Sequence, residues 1–226
     1  MLLMYVLIWV VVLNNKSVFY PLSREYSSLF IHLGYPKTGT SFLQRSVFPC
    51  IEDDNPGVCI LSNEGLVGDK FSVDVSDMEA VLKMLKRLYP DACIIIGVRD
   101  WDMKFQSSLY SQFVKQGGRL SCSDFFVDCV NPVRFDYGFY LRLLYKYFDE
   151  DSVFVYHFGE FKRYPGEVVR RLCVFMGVDV PENIDFGVRF NKAWSDRQVL
   201  LGVLFNRLFH FFRLRFWISR LGGYSR

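Results

Sequence analysis

The sequence has no C-x-x-C pair, only three histidines, and no uninterrupted apolar run longer than thirteen residues. The first absence removes the spacing on which small zinc sites are built, and the six cysteines (Cys50, Cys59, Cys93, Cys122, Cys129, Cys173) are scattered, mostly inside apolar stretches. That is the pattern of core thiols in a reducing compartment, and only Cys122 and Cys129 are close enough in sequence for a local bridge. The thirteen-residue run, "MLLMYVLIWVVVL", opens the chain. As a helix it would cover about 20 Å, short of the roughly 30 Å of hydrocarbon in a bilayer. It also lacks the basic n-region and small-residue cleavage site of a secretory signal. It reads as a membrane-associating segment or as an edge element of the fold. Internal repeats and low-complexity linkers are missing too, so nothing points to a solenoid or to a string of modules.

Acidic side chains are absent from residues 197 to 226, which carry six arginines. That end of the chain favours an anionic surface or ligand. A net charge of +3 over the whole chain gives no reason to expect a nucleic-acid partner. Half the residues are apolar and 18% are aromatic, which excludes intrinsic disorder and supplies a sizeable core. A length of 226 residues suits one domain, read here as residues 28–226 behind an apolar segment 1–27.

Short apolar runs at 28–35, 57–61, 92–98 and 152–158 read as buried strands. Between and after them lie helical patterns at about 77–88, 101–115, 136–148 and 166–178, with Asp77 as a cap for the first and Gly117 and Gly118 closing the second. Strands separated by helices predict an α/β fold with a mainly parallel sheet, in which ligands collect at the carboxyl ends of the strands.

The first of those ends carries "FIHLGYPKTGTSFLQ" (30–44). Gly34 and Gly39 have the G-x-x-x-x-G spacing of a Walker A loop, but Thr40 and Ser41 stand where that motif needs Lys then Ser or Thr. The lysine, Lys37, lies inside the loop instead. Amides from Thr38 to Ser41 at a helix start, with the hydroxyls of Thr38, Thr40 and Ser41, would cradle an anion. Lys37 could then reach an oxygen bridging two anionic groups and stabilise charge as that bond breaks. Arg99 sits where the clearest strand stops, able to grip a phosphate, with Ser107 and Ser108 about two helical turns later. Glu64 lies just beyond a third strand end, in "LSNEGL". His32 and His157 fall within strands and read as core or sheet-face residues, while His210 belongs to the arginine-rich tail. Asp100 and Asp102 read as caps of the helix that begins there. In "YSQFVKQGGRL" (110–120), Gln112 and Lys115 either face a polar acceptor or sit on a solvated helix end.

"YPKTGTSFLQ" followed by strand, Arg99, helix and serine resembles the sulfotransferase family that uses 3′-phosphoadenosine 5′-phosphosulfate (PAPS). The resemblance spans about residues 28 to 210. It implies a nucleotide-kinase-like fold, with Pro36, Lys37, Thr38, Gly39, Thr40, Ser41 and Phe42 around the 5′-phosphosulfate. It further implies Arg99 and a serine at the 3′-phosphate. The family's usual arginine-to-serine spacing of eight selects Ser107, whereas its aromatic two residues beyond the serine, here Tyr110, selects Ser108. "FNKAWSDRQ" resembles a late family segment, implying Asn191, Lys192 and Ser195 in the nucleotide pocket. "LSNEGL" resembles the segment that carries a glutamate base in carbohydrate sulfotransferases, implying Glu64 as the proton acceptor.

The resemblance therefore implies transfer of a sulfuryl group from PAPS to a hydroxyl of a carbohydrate or glycolipid, with Lys37 stabilising the leaving phosphate. A sulfuryl group carries less negative charge than a terminal phosphoryl, so no metal is expected. The rival readings are a nucleotide-kinase-like phosphotransferase, which would want magnesium and a Walker lysine, and a non-catalytic, membrane-associated nucleotide-binding protein. The thiols place the chain in the cytoplasm. Its apolar start and the arginines and aromatics of its end, whose spacing would give an apolar face rimmed with arginine, suggest contact with the inner face of the membrane.

Overall fold

A computed structural model describes the backbone of residues 7–10, 18–21, 26–68, 70–71, 73–188, 190 and 194–221, with side chains from 26 to 210 within those spans. The chain divides into two compact units, Met1–Asp100 with Asn131–Phe190, and Trp101–Val130 with Asn191–Arg226.

The first unit is built on four parallel strands: β3 (Ser28–Leu33), β4 (Val58–Asn63), β5 (Cys93–Val98) and β6 (Val153–His157), in the order β4-β3-β5-β6. All four sequence-predicted strands are present, each shifted by no more than a few residues. Side chains alternate across this sheet. Ile31, Leu33, Ile94, Ile96 and Val98 face one core, shared with α3 (Ser76–Leu88) and α6 (Tyr137–Leu144). Phe30, Ile60, Ile95 and Tyr156 face the other, shared with α7 (Phe158–Arg163) and α8 (Pro165–Met176). Both faces are covered, which is why the strands read as continuous apolar runs. Two further strands, β1 (Leu7–Val10) and β2 (Val18–Pro21), pair antiparallel with each other. The rest of the apolar start lies outside the described residues.

The helix after β3 is not uniform. It opens as α1 (Thr40–Phe42), widens into a π-helical stretch Leu43–Val47, and resumes as α2 (Phe48–Asp54). In the wide turn the Phe48 N–H donates to the Leu43 carbonyl, five residues back. Pro49 follows at once, and lacking an N–H it cannot close an ordinary turn onto Arg45, which favours the wider geometry. Asp77 does not cap α3. The Asp74 side chain accepts from the Ser76 N–H at 2.9 Å, and Asp77 is drawn 2.6 Å from buried Arg134.

Among its described residues the second unit contains the helices α4 (Met103–Lys115), α5 (Cys122–Asp128) and α9 (Asp196–Leu221). Asp102 caps α4 by accepting from the Phe105 N–H at 2.6 Å. The Asn206 side chain of α9 donates to the carbonyls of Val114 and Gly118, tying α9 to the end of α4 and the turn after it. Cys122 and Cys129 are free thiols. No helix among the described residues is long and apolar enough to cross a membrane.

Candidate functional site

β3 delivers its last residues to a loop held on three sides. Gly34 donates to Asn63 O at 3.2 Å, and a Cβ on Gly34 would lie 2.5 Å from the Glu64 Cα, so only glycine allows this approach. The Tyr35 hydroxyl donates to Arg134 O at 2.9 Å, and the Tyr156 hydroxyl, from the floor of the sheet, donates to Thr38 O at 3.2 Å. Both tyrosines are buried, and desolvation raises the pKa of each well above the ordinary phenol, so both stay neutral donors. Lys37 has φ 61, the left-handed region that a lysine seldom enters, and Gly39 follows at φ 94. A Cβ on Gly39 would lie 2.5 Å from the Phe161 ring.

The hydroxyls divide into two kinds. Thr38, expected to donate to an anion, turns inward and donates to Tyr35 O at 2.6 Å, so its hydroxyl shapes the loop. Thr40 is almost wholly buried at the first turn of the helix, and its Oγ1 has no hydrogen-bond partner in the protein. A buried hydroxyl left open at a helix start is what an anion-binding cradle provides before its ligand arrives. Pro36 is buried, Ser41 and Phe42 are half-buried, and the Phe42 ring packs on Phe161 and Phe186 at 5.8 and 6.0 Å.

Arg99 stands at the carboxyl end of β5, where its guanidinium donates to Lys37 O at 3.3 Å and lies 4.7 Å from the centre of the Phe158 ring. Its neighbour across the strand ends was not anticipated. His157, the last residue of β6, does more than line the sheet: it accepts the Gly159 N–H at Nδ1 and directs Nε2 to Asp100 at 3.1 Å. The acceptor role of Nδ1 assigns the ring proton to Nε2. The patterns "VRD" at the end of β5 and "YHFG" at the end of β6 are visible in the sequence, but the pairing across them is set by strand order.

Glu64 opens the 3-10 turn Glu64–Val67 directly after β4, with its side chain beginning beside Gly34. Lys70 stands 3.5 Å from its carboxylate, a partner the sequence did not single out. Lys37, Arg99 and Glu64 thus come together at the carboxyl ends of three adjacent strands of the first unit. Ser107, Ser108 and Ser195 belong to the second unit. Ser107 is exposed on α4, while the Ser108 hydroxyl donates to Phe105 O at 2.8 Å. Ser195 exchanges hydrogen bonds with Gln198 as a capping box at the start of α9. Asn191 and Lys192 lie outside the described residues. Among the described residues no three His, Cys, Asp or Glu side chains gather closely enough to hold a metal ion.

No protein-family model matches the sequence, and no curated protein matches it in sequence. Solved structures do resemble it. A sulfotransferase from Alicyclobacillus acidocaldarius is 21% identical with a TM-score of 0.51, over 72% of this chain and 85% of that one. The sulfotransferase domain from the curacin biosynthetic pathway is 10% identical with a TM-score of 0.47, over 78% and 83%. Mouse sulfotransferase SULT7A1 complexed with PAP is 11% identical with a TM-score of 0.41, over 79% and 64%. With its four parallel strands, helices on both faces and its likeness to the first of these structures, the chain has the α/β fold of the sulfotransferases.

Proposed function

We propose that this chain is a PAPS-dependent sulfotransferase acting on a hydroxyl of a carbohydrate or glycolipid. The observation that carries the reading is the loop 34–41: a lysine held in left-handed backbone within the loop, followed by a buried Thr40 hydroxyl with no protein partner at a helix start. Thr40 occupies the place of the Walker lysine, so the loop suits a donor whose cation reaches the bridging oxygen rather than a nucleoside triphosphate.

In this reading the amides from Thr38 to Ser41 and the Thr40 hydroxyl hold the 5′-phosphosulfate. Arg99 supports the loop through Lys37 O and faces the 3′-phosphate. The acceptor oxygen bonds to sulfur as the bond from sulfur to the bridging oxygen breaks, leaving 3′-phosphoadenosine 5′-phosphate. Lys37 stabilises the charge that grows on that oxygen, and Glu64 takes the acceptor's proton. The rigid junction of Gly34 with Glu64 supports this pairing, because it fixes the proton acceptor against the donor loop through backbone alone.

The test is transfer of radiolabelled sulfate from PAPS to a panel of glycans and glycolipids, with calorimetry of donor binding. Wild type is expected to transfer label without added magnesium. Lys37→Ala and Glu64→Gln should each lower kcat at least about a hundredfold, and Glu64→Gln should keep donor affinity. Preference for ATP with magnesium over 3′-phosphoadenosine 5′-phosphate would overturn the assignment.

A further inference from the structure

Over its described side chains, residues 196–210, α9 packs one side and leaves an apolar side open. Val203 is buried, and Gly202 and Asn206 lie against α4, where a Cβ on Gly202 would come within 2.8 Å of both Val114 and Trp194. On the other side Leu200, Leu201, Leu204, Phe205, Leu208 and Phe209 are each 47% to 65% exposed. Their spacing of i, i+1, i+4, i+5, i+8, i+9 puts them within about half the helix circumference at roughly 100° per residue. Phe205 and Phe209 stack on each other in the open, with ring centres 5.9 Å apart. Six large apolar side chains in one contiguous stripe is more than the scattered exposure of an ordinary surface.

Charge decides what covers this face. From Arg197 to the end of the chain there are six arginines and no acidic residue. Arg197 and Arg207 are exposed on the described part of α9, and Lys115 and Arg119 are exposed at the end of α4 in the same unit. A second copy docking face to face would set arginine against arginine. An anionic bilayer surface offers both an apolar layer for the stripe and negative headgroups for the cations.

We propose that α9 is an interfacial membrane-binding helix that lays Leu200, Leu201, Leu204, Phe205, Leu208 and Phe209 into an anionic lipid surface, with Arg197 and Arg207 on the headgroups. The assignment does not depend on the sulfotransferase reading.

Flotation of the full-length protein with vesicles tests it, using phosphatidylcholine alone and phosphatidylcholine with phosphatidylglycerol. The protein is expected to float with the mixed vesicles at least about tenfold better than with the neutral ones, and to be released by salt. Leu204→Ser, Phe205→Ser, Leu208→Ser and Phe209→Ser together should abolish flotation with no loss of thermal stability, since all four are exposed. Should that variant prove unstable, Arg197→Gln with Arg207→Gln is the second arm, expected to weaken binding about fivefold per charge. Three results overturn the proposal: undiminished flotation of the folded serine variant, which assigns the contact to another segment such as residues 1–13; equal flotation with neutral vesicles; or a lipid-free dimer that the serine variant dissociates, which makes the face a self-interface.

Discussion

Acid should destabilise the first unit through one buried histidine. His32 lies in the central strand β3 with no exposed surface, and burial lowers its pKa from 6.5 to about 3. Its Nδ1 is 2.7 Å from the Ser62 hydroxyl, which itself accepts from the Gln44 side chain at 2.9 Å. We assign the hydroxyl hydrogen to Nδ1 and the ring proton to Nε2, which is buried without a hydrogen-bond partner beside Phe48. The folded-state pKa lies below the unfolded one. The unfolded chain therefore takes up a proton below about 6.5 that the folded chain refuses until about 3, and stability falls as pH falls across that window. At about 1.4 kcal/mol per pH unit, moving from neutral pH to about 4.5 costs about 2.7 kcal/mol, a large share of a typical domain's 5–15. Urea titrations of wild type and His32→Leu near pH 7.5, 6 and 4.5 isolate this contribution, because the carboxylates are common to both proteins. The stability of wild type relative to the variant should drop by about 2.7 kcal/mol between the end points. Parallel curves, or an imidazole NMR titration of His32 near its ordinary value in the folded protein, would refute the reasoning.

Other outcomes follow from single contacts. Arg134→Met leaves Asp77 half-buried beside an apolar side chain while keeping the backbone carbonyl that accepts from Tyr35, so denaturant melts should show a loss of about 3–5 kcal/mol from the broken ion pair alone. Gly39→Val meets both a positive φ and the Phe161 ring, and should cost about 1–3 kcal/mol together with most donor affinity by calorimetry. Lys37→Gly suits the left-handed backbone, so thermal melts should stay within about 1 kcal/mol of wild type while turnover is lost, separating the cation's role from the loop's fold. Gly97→Ala would press on the Tyr156 ring that supports Thr38, lowering both stability and donor binding in the same assays.

The strands were legible because helices cover both sheet faces, burying β3 and β5 almost throughout and β4 and β6 in part, so a short apolar run bounded by Gly, Asp or Pro names each. The loop was legible because its chemistry is local: Gly34, Lys37, Gly39 and Thr40 act within one turn of backbone. What the sequence hid depends on partners far along the chain. His157 looked like a sheet-face residue because its role comes from Asp100, which reaches it only when β6 lies beside β5. Asp77 looked like a cap because nothing local announces Arg134, 57 positions later. Thr38 looked like a ligand donor, and only the fold of the loop turns its hydroxyl to Tyr35 O. The stripe on α9 was readable as spacing, but which side packs on α4 required Asn206 and Gly202 to be seen in place.

The wide turn at Leu43–Val47 also has a bearing on how this chain can tolerate change in its length. A π-helical turn accommodates one more residue than the α-helix around it. Deleting a single residue there would convert one wide turn into one ordinary turn, so Phe48 and Ile51 would stay close to the apolar layer they now fill. The length of this stretch can therefore change by that one residue without repacking the layer that follows it.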